Sequence, residues 1–382
     1  MPNRLCIGID ASNIRAGGGL THLASLLESA RPLDASVERI VVWGGEETLR
    51  RLPASTWLDT RQVPSEGGLA RRFLFQQHVL PGELDNAGCH ALLAPGGIVS
   101  ARVRIPSVVI SQNLLPFEPD EAKRFGSISA ERLRYALIRR AQVSAIRRAA
   151  GVIFLTNFAQ SAVLRWVPGF AGRTAVIPHG VDERFGLGAG ARRRGDVAFR
   201  VLYVSVVNFY KHQDSVATAA AMLRRRGIPV TVDFIGPAHQ RALRGLEAVL
   251  RREDPAGEFL RYRGAVPFKD LHEAYHAADA FVFASSCENL PNILLEAMAA
   301  ALPIACSDRG PMPEVLGDAG VYFDPERPES ICEAMAALYD DPKRAEALGR
   351  AAHDAVEPYT WSRCADKTLA FVRDVVESMT VS

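Results

Sequence analysis

The sequence predicts an α/β protein made of two doubly wound domains, each a parallel sheet covered by helices. Three observations carry this prediction. The chain has 382 residues, and at roughly 100–200 residues per domain that is two domains or one unusually large one. Short apolar runs alternate with helix-period stretches along nearly its whole length, the pattern of repeated strand–helix units. Most of the apolar runs are continuous rather than alternating, as expected of strands buried on both faces.

Taken in order, the predicted strands of the first half are Leu5–Ile9, Ile40–Trp43, His90–Leu93, Ser107–Ile110, Val152–Leu155 and Ala175–Ile177. Those of the second half are Val201–Val207, Val230–Ile235, Ala280–Phe283, Ile304–Cys306 and Val321–Phe323. Helix-period apolar positions recur over Thr21–Ser29, Ala130–Ala149, Ser215–Arg226 and Asn292–Ala300, and Trp361–Val376 reads as an amphipathic helix. After Pro178 comes HGVDERFGLGAGARRRGDVAFR, rich in Gly and Arg and without periodicity. The expected division is a domain over 1–180, a linker over 181–198, a domain over 199–360, and a segment 361–382 packing back on the first domain. Two such domains facing each other would line a cleft with the carboxyl ends of their strands, the usual ligand site of these sheets.

Composition narrows the function. Apolar residues make up 48% and charged residues 23%, which argues against wholesale disorder. Lys plus Arg number 45 and Asp plus Glu 43, a net charge of +2, so coating nucleic acid is not the main task. Only five of the basic residues are lysines: 123, 211, 269, 343 and 367. A coding bias explains that as well as function does, yet it makes each lysine worth examining. Six scattered cysteines show no C-x-x-C and no zinc spacing, which points to reduced thiols in a cytoplasmic protein. MPNRLCIGID enters a strand with no signal-type apolar region, and no run approaches 18 apolar residues.

The strongest motif lies over 280–324, AFVFASSCENLPNILLEAMAAALPIACSDRGPMPEVLGDAGVYFD. A buried strand ends at Ala284, a polar turn Ser285-Ser286-Cys287-Glu288-Asn289 follows, and a helix begins near Pro291 or Asn292. Such a junction aims free backbone N–H groups and the positive end of a helix dipole at one point, which suits a phosphate or diphosphate. Glu288 in the turn and Glu296 one turn into the helix bracket it. A carboxylate accepts two hydroxyl hydrogen bonds, and sugars and ribose offer vicinal hydroxyls.

With the surrounding EAMAAALPIACSDRGPMPEVLGDAG, this E-x7-E segment resembles the donor-binding region of glycosyltransferase family 4, retaining enzymes of the GT-B fold with two Rossmann-like domains. VIPHGVDERF (176–185), LYVSVVNFYKHQD (202–214), FIG (234–236) and YRGAV (262–266) resemble the family's other landmarks, in order along most of the chain. The resemblance implies an acceptor-side first domain and a donor-binding second one. It assigns Glu296 to the donor ribose, and Glu288 with the backbone of Asn289 and Leu290 to the transferred sugar and its phosphate. Lys211 matches the lysine that neutralises the diphosphate, a transition-state role. Gly264 and Val266 lie where the family places the base.

The chain departs from the family in two places. Where many members have an arginine five or six residues before the lysine, it has Val206 and Ser205; Asn208 or a distant arginine would have to serve. Where members often have a His-Asp pair after a strand of the first domain, VVISQNLLPFEP puts Gln112 and Asn113. Neither titrates near neutrality, so this acceptor-side position is left to orient by hydrogen bonding. In retaining enzymes of this fold the leaving phosphate is thought to take the acceptor proton. GGGLTH (17–22) is a Gly-rich opening of a helix whose Gly18 and Gly19 would let donor or acceptor approach; His22 breaks the dinucleotide fingerprint. His179 reads as structural. The segment 128–150, with six arginines and one glutamate, reads either as a basic helix able to touch anionic lipid or as a packing helix with a solvated arginine face.

The expectation is a retaining glycosyltransferase, a hexosyl- or mannosyltransferase, using GDP-mannose or another GDP- or UDP-sugar on a polysaccharide or lipid-linked glycan. No D-x-D occurs, so no metal and no cofactor is expected beyond the co-substrate. The expected place is the cytoplasm, including the inner face of the membrane, with no nucleic-acid partner. A sugar-nucleotide epimerase, a non-catalytic partner subunit of the same fold and an oxidoreductase are the rival readings.

Overall fold

The computed structural model describes residues 4–15, 17–63, 68–126, 129–186 and 198–380. Most of the expected linker, residues 187–197, and Ile128 at the head of the basic segment lie outside the described residues. The contacts divide the chain into two compact units. One comprises Met1–Phe117, Ala130–Gly180 and Thr360–Ser382; the other comprises Glu118–Ser129 and Val181–Tyr359.

The first unit is built on a seven-stranded parallel sheet: β1 Leu5–Ala11, β2 Val37–Gly44, β3 Leu58–Gln62, β4 Ala91–Ala94, β5 Ser107–Ile110, β6 Gly151–Phe154 and β7 Arg173–Val176. Their order is β3-β2-β1-β4-β5-β6-β7, so the winding direction reverses between β1 and β4, where Ile7 pairs with Ala91. The second unit repeats the scheme with β8 Phe199–Val204, β9 Val230–Ile235, β10 Leu260–Tyr262, β11 Ala280–Phe283, β12 Ile304–Ser307 and β13 Val321–Phe323, in the order β10-β9-β8-β11-β12-β13. Here the reversal falls between β8 and β11, where Ala280 pairs with Val201. Ligands of such sheets collect outside the carboxyl ends of the strands at that reversal.

The central strands are the apolar runs of the sequence, and their burial is complete: every residue of β1, β4, β5, β6, β11 and β12 is buried. Two strands fall outside the expected set, β3 and β10, and both are sheet edges. β3 reads LDTRQ with no buried residue, and β10 has three residues with Arg261 exposed. An edge strand need not be apolar, so neither announces itself in the pattern. The run expected as Val201–Val207 pairs regularly to Val204, after which Ser205 and Val207 still donate to Ile235 and Pro237. That continuation leaves no room for a side chain at Gly236, whose φ is +144° and where a Cβ would stand 2.1 Å from the Ser205 carbonyl oxygen.

The helix Gly18–Ser29 begins three residues before its apolar period does, because Gly17 at φ +71° makes the turn and Gly18 and Gly19 form the first helical turn. The helix Trp361–Thr380 packs on the first unit: Cys364, Leu369, Val372 and Val375 are buried, and a Cβ on Gly151 would stand 2.9 Å from Phe371 and Val375.

Candidate functional site

In the second unit the loops after β8 and β11 meet. After β8, Asn208 caps a short 3₁₀ turn, Phe209–Lys211, its side chain accepting from the Phe209 N–H at 2.9 Å. The Tyr203 hydroxyl donates to the Lys211 carbonyl and fixes the end of that turn. After β11, Ser286 donates its N–H to the Tyr210 carbonyl at 2.9 Å, tying the second loop to the first. The result is an ion pair: the Lys211 ammonium donates to Glu288 Oε1. Lys211 is only 5% exposed, with its Nζ 5.2 and 5.4 Å from the centres of the Tyr210 and Phe283 rings. A charge held in such low-dielectric surroundings acts more strongly than one in water.

His212 follows in the left-handed region, φ +50°, an uncommon conformation for a side chain that large. Its Nε2 lies 3.1 Å from Ser286 Oγ, which donates in turn to Glu121 Oε2 at 2.7 Å. Glu121 also holds Arg124, which pairs with Glu326. Burial, then the Arg124 charge, lowers the His212 pKa.

The helix Asn292–Ala299 starts at Pro291 without a side-chain cap and without an acidic residue in its first turn. The Leu294 N–H turns back to the Pro291 carbonyl at 3.0 Å, and no side chain caps the N–H groups of Asn292 and Ile293 ahead of it, the arrangement that receives anions. Asn289 and Leu290, just before it, are buried. One turn in, Glu296 is buried and accepts from the Tyr275 hydroxyl at 2.7 Å. Burial raises its carboxyl to about 7, a rise to which the charge of Asp182 adds and which the Tyr275 bond opposes. After β10, Gly264 at φ +69° has open space where a side chain would be, its carbonyl holding Gly236 N–H at 2.8 Å, and Val266 is half-buried.

The predicted site residues thus fall into local groups. Lys211 and Glu288 touch, Asn208 shapes the turn that carries Lys211, and Asn289 and Leu290 lead into the helix of Glu296. Gly18, Gly19, Gln112 and Asn113 belong to the first unit. There Gln112 bonds His22 (Nε2 to Nδ1, 2.9 Å) and would contact a side chain at Gly19, 3.4 Å from its Oε1. Gly18 is exposed, and Asn113 accepts from the Leu115 N–H at 3.3 Å, holding the turn after β5. His22 also meets His179 edge-on, 4.7 Å between ring centres, and both rings lie under 6 Å from that of Trp361. Both imidazoles are buried and held neutral: His22 is lowered to about 4, and His179 falls well below its ordinary value.

Sequence reasoning missed Tyr275, Glu121, Ser286 and His212. His212 directly follows Lys211, but Tyr275 lies 21 positions from Glu296 and Glu121 lies 165 from Ser286, separations at which no spacing rule operates. At the family's arginine position, Ser205 and Val206 are spent on backbone contacts, Gln213 Nε2 donating to the Val206 carbonyl at 3.0 Å. Arg241 stands 5.8 Å over the Phe209 ring, two residues from Lys211, and is a cation the linear motif does not reveal.

Residues 194–355 match the family model described as glycosyl transferases group 1. The chain is similar to the O-antigen chain mannosyltransferase B of Escherichia coli, 37% identical over 112 residues, a match spanning only 29% of either protein. Similarity to the alpha-maltose-1-phosphate synthase of Mycolicibacterium smegmatis is 26% over 73% of this chain and 76% of that one. Among solved structures, the Anabaena protein HepE in complex with UDP and glucose superposes with a TM-score of 0.69 at 17% identity, covering 99% of this chain and all of that one. At that identity the likeness is one of fold, the two-sheet α/β architecture of GT-B.

Proposed function

We propose that this chain, whose residues 194–355 match the glycosyl transferases of group 1, is a retaining, metal-independent hexosyltransferase using a nucleotide-sugar donor. The observation that carries the reading is the buried Lys211–Glu288 pair beside an uncapped helix start, with Glu296 one turn further on. A donor diphosphate would take the first-turn N–H groups of Asn292–Ala299 and share Lys211 with Glu288. A leaving diphosphate gains negative charge as the sugar departs, and fixed positive charge in a dry site favours that state. Glu296, held by Tyr275, would accept the two ribose hydroxyls, Glu288 with the backbone of Asn289 and Leu290 would hold the sugar, and Gly264 and Val266 would face the base.

In the first unit, Gln112, Gly18 and Gly19 would meet the acceptor or the sugar. A neutral amide cannot serve as a general base, so the leaving phosphate takes the acceptor proton. The curated mannosyltransferase and the UDP-bound neighbour support a nucleotide-activated hexose. GDP-mannose is the first donor to test and UDP-glucose the second. A polysaccharide or lipid-linked glycan is the acceptor class proposed. No described helix is long and apolar enough to cross a membrane. Contact with anionic lipid would fall to the helix Ala130–Arg148, whose Leu133 and Leu137 are exposed beside Arg134 and Arg140.

The test is donor-dependent transfer to a lipid-linked or crude glycan acceptor, with the anomeric configuration of the product read by NMR and EDTA present throughout. Retention with full activity in EDTA is the expected outcome. Inversion, loss of activity in EDTA, or full activity in Glu296→Ala overturns the assignment.

A further inference from the structure

A cavity of about 510 Å³ opens in the first unit, lined by Trp43, Arg61, Leu74, Phe75, His78, Val79 and neighbours. It sits at the carboxyl ends of β2 and the edge strand β3, where Trp43 pairs with Arg61. Its other wall is a helical stretch with a local defect. Residues Phe75–Val79 form one π-helical turn, and Pro81 just beyond has no N–H to return to the Gln77 carbonyl. The Ser100 hydroxyl approaches that carbonyl instead, at 3.5 Å. The widened turn sends Gln76 inward to Asp10, at 2.5 Å, and leaves Phe75, His78 and Val79 on the cavity. Such turns recur at functional sites.

The lining has two characters. Trp43, Leu74, Phe75 and Val79 are apolar, and Leu74 and Val79 are at least half exposed at the mouth beside Phe73 at 58%. Three polar groups of the wall are already engaged with one another. The indole N–H and the Arg61 guanidinium both donate to Glu83 Oε2, and Arg61 also reaches Asp59. A sugar, which needs many hydrogen-bond partners, would find few here; a hydrocarbon needs none. Around the mouth the described charges favour an anion. Arg61 and Arg71 line the cavity, and Arg102 donates to His78 at 2.8 Å. Arg72, next to Arg71 in the chain, has its pKa lowered by burial and then by the nearby Arg15 charge. Asp59 and Glu83 are the only acids in the contacts just named.

We propose that this cavity is a binding site for an anionic amphiphile, a hydrocarbon chain seated on Trp43, Leu74, Phe75 and Val79 with a phosphate at the arginine-rich mouth. The site is separate from the residues given to donor and acceptor above, and its occupant is defined by an alkyl chain joined to a phosphate. A volume of this size is ordinary for a small-molecule pocket.

Calorimetric titration of the full chain with octyl, decyl and dodecyl phosphate, all below their micelle concentrations, tests the proposal. Affinity should rise about fourfold per added methylene until the cavity is full. Dodecyl maltoside should bind at least tenfold more weakly than dodecyl phosphate, and inorganic phosphate should not bind measurably. Leu74→Asp, a change at an exposed position, should cost at least tenfold for every chain length with an unchanged melting temperature. Arg71→Glu should weaken dodecyl phosphate tenfold and leave dodecyl maltoside unaltered. Sedimentation with phosphatidylglycerol vesicles separates two sources of this ligand: loss of vesicle binding in Leu74→Asp points to a bilayer lipid, and monomer binding alone points to a lipid carrier. Either supports the site. Chain-length independence, equal affinity for the neutral detergent, or indifference to both substitutions overturns it. UDP-glucose and GDP-mannose titrated into the same samples report the second unit separately, so failure of one reading is distinguishable from failure of the other.

Discussion

Both units end their central strands in polar loops, but they hold different kinds of polar group. After β8 and β11 stands a buried ion pair, Lys211 with Glu288, and beyond it a buried carboxyl, Glu296. In the first unit the helix after β1 and the loop after β5 bring His22 and Gln112 together, an imidazole lowered to about 4 and an amide. The second unit concentrates charge where a diphosphate would need it. The first offers hydrogen bonds that keep one protonation state across the neutral range. One fold scheme serves charge stabilisation in one copy and orientation in the other.

The largest effect should come from breaking the charged pair. Lys211→Met is expected to reduce transfer at least about a thousandfold and to cost roughly 3 kcal/mol in urea unfolding, because it strands a largely buried carboxylate. Adding Glu288→Gln should restore most of that stability and none of the activity. If the double variant regains transfer, Lys211 has no part in the chemistry.

Glu296 sharpens the contrast through pH. Its folded pKa of about 7 lies above its unfolded value, so its contribution to stability is full below about pH 4.5 and lost as pH rises through 7. Glu296→Gln should therefore be the more stable protein at pH 8, by up to about 3 kcal/mol, and nearly equal to wild type at pH 4.5. The same substitution should weaken donor binding at pH 8 by calorimetry. Donor affinity that is flat from pH 6 to 8 in the wild type would argue against Glu296 ionising to receive the ribose.

His22 runs the other way. Its folded pKa lies below its unfolded one, so its stability is present above pH 6.5 and lost as pH falls toward 4. His22→Gln should flatten the melting-temperature profile over that window, by up to about 3 kcal/mol at its acid end. An unchanged profile would mean that other groups govern acid unfolding of the first unit. The smallest effect belongs to the basic helix. Leu133→Ser with Leu137→Ser should change stability by less than about 0.5 kcal/mol, yet should abolish sedimentation with anionic vesicles if that face meets lipid.

What could be read from the sequence follows the same physical line. The sheets were legible because buried parallel strands are continuous apolar runs; the edge strand LDTRQ was not, because half of its environment is water. The Glu288–Glu296 segment was legible because it is local, a strand–turn–helix junction within a dozen residues, whereas Lys211 was marked by the family resemblance and its Asn208 cap appears only in the structure. Tyr275 under Glu296, Glu121 on Ser286 and Trp361 against His22 and His179 arise only when distant segments meet. A buried tyrosine reads as core in any pattern, and Tyr275 is core that also donates a hydrogen bond.

The helix Trp361–Thr380 belongs to the unit that begins with β1, although it is translated after the whole of the other one. Buried residues such as Leu369, Val372 and Val375 are made only after the whole of the second unit has been synthesised. On the ribosome, the unit that starts later can complete its core first, while the earlier one waits with apolar surface uncovered. Termination or proteolysis ahead of Trp361 would then injure the unit that begins with β1, and chaperone dependence should track the helix Trp361–Thr380 rather than the helix after β1.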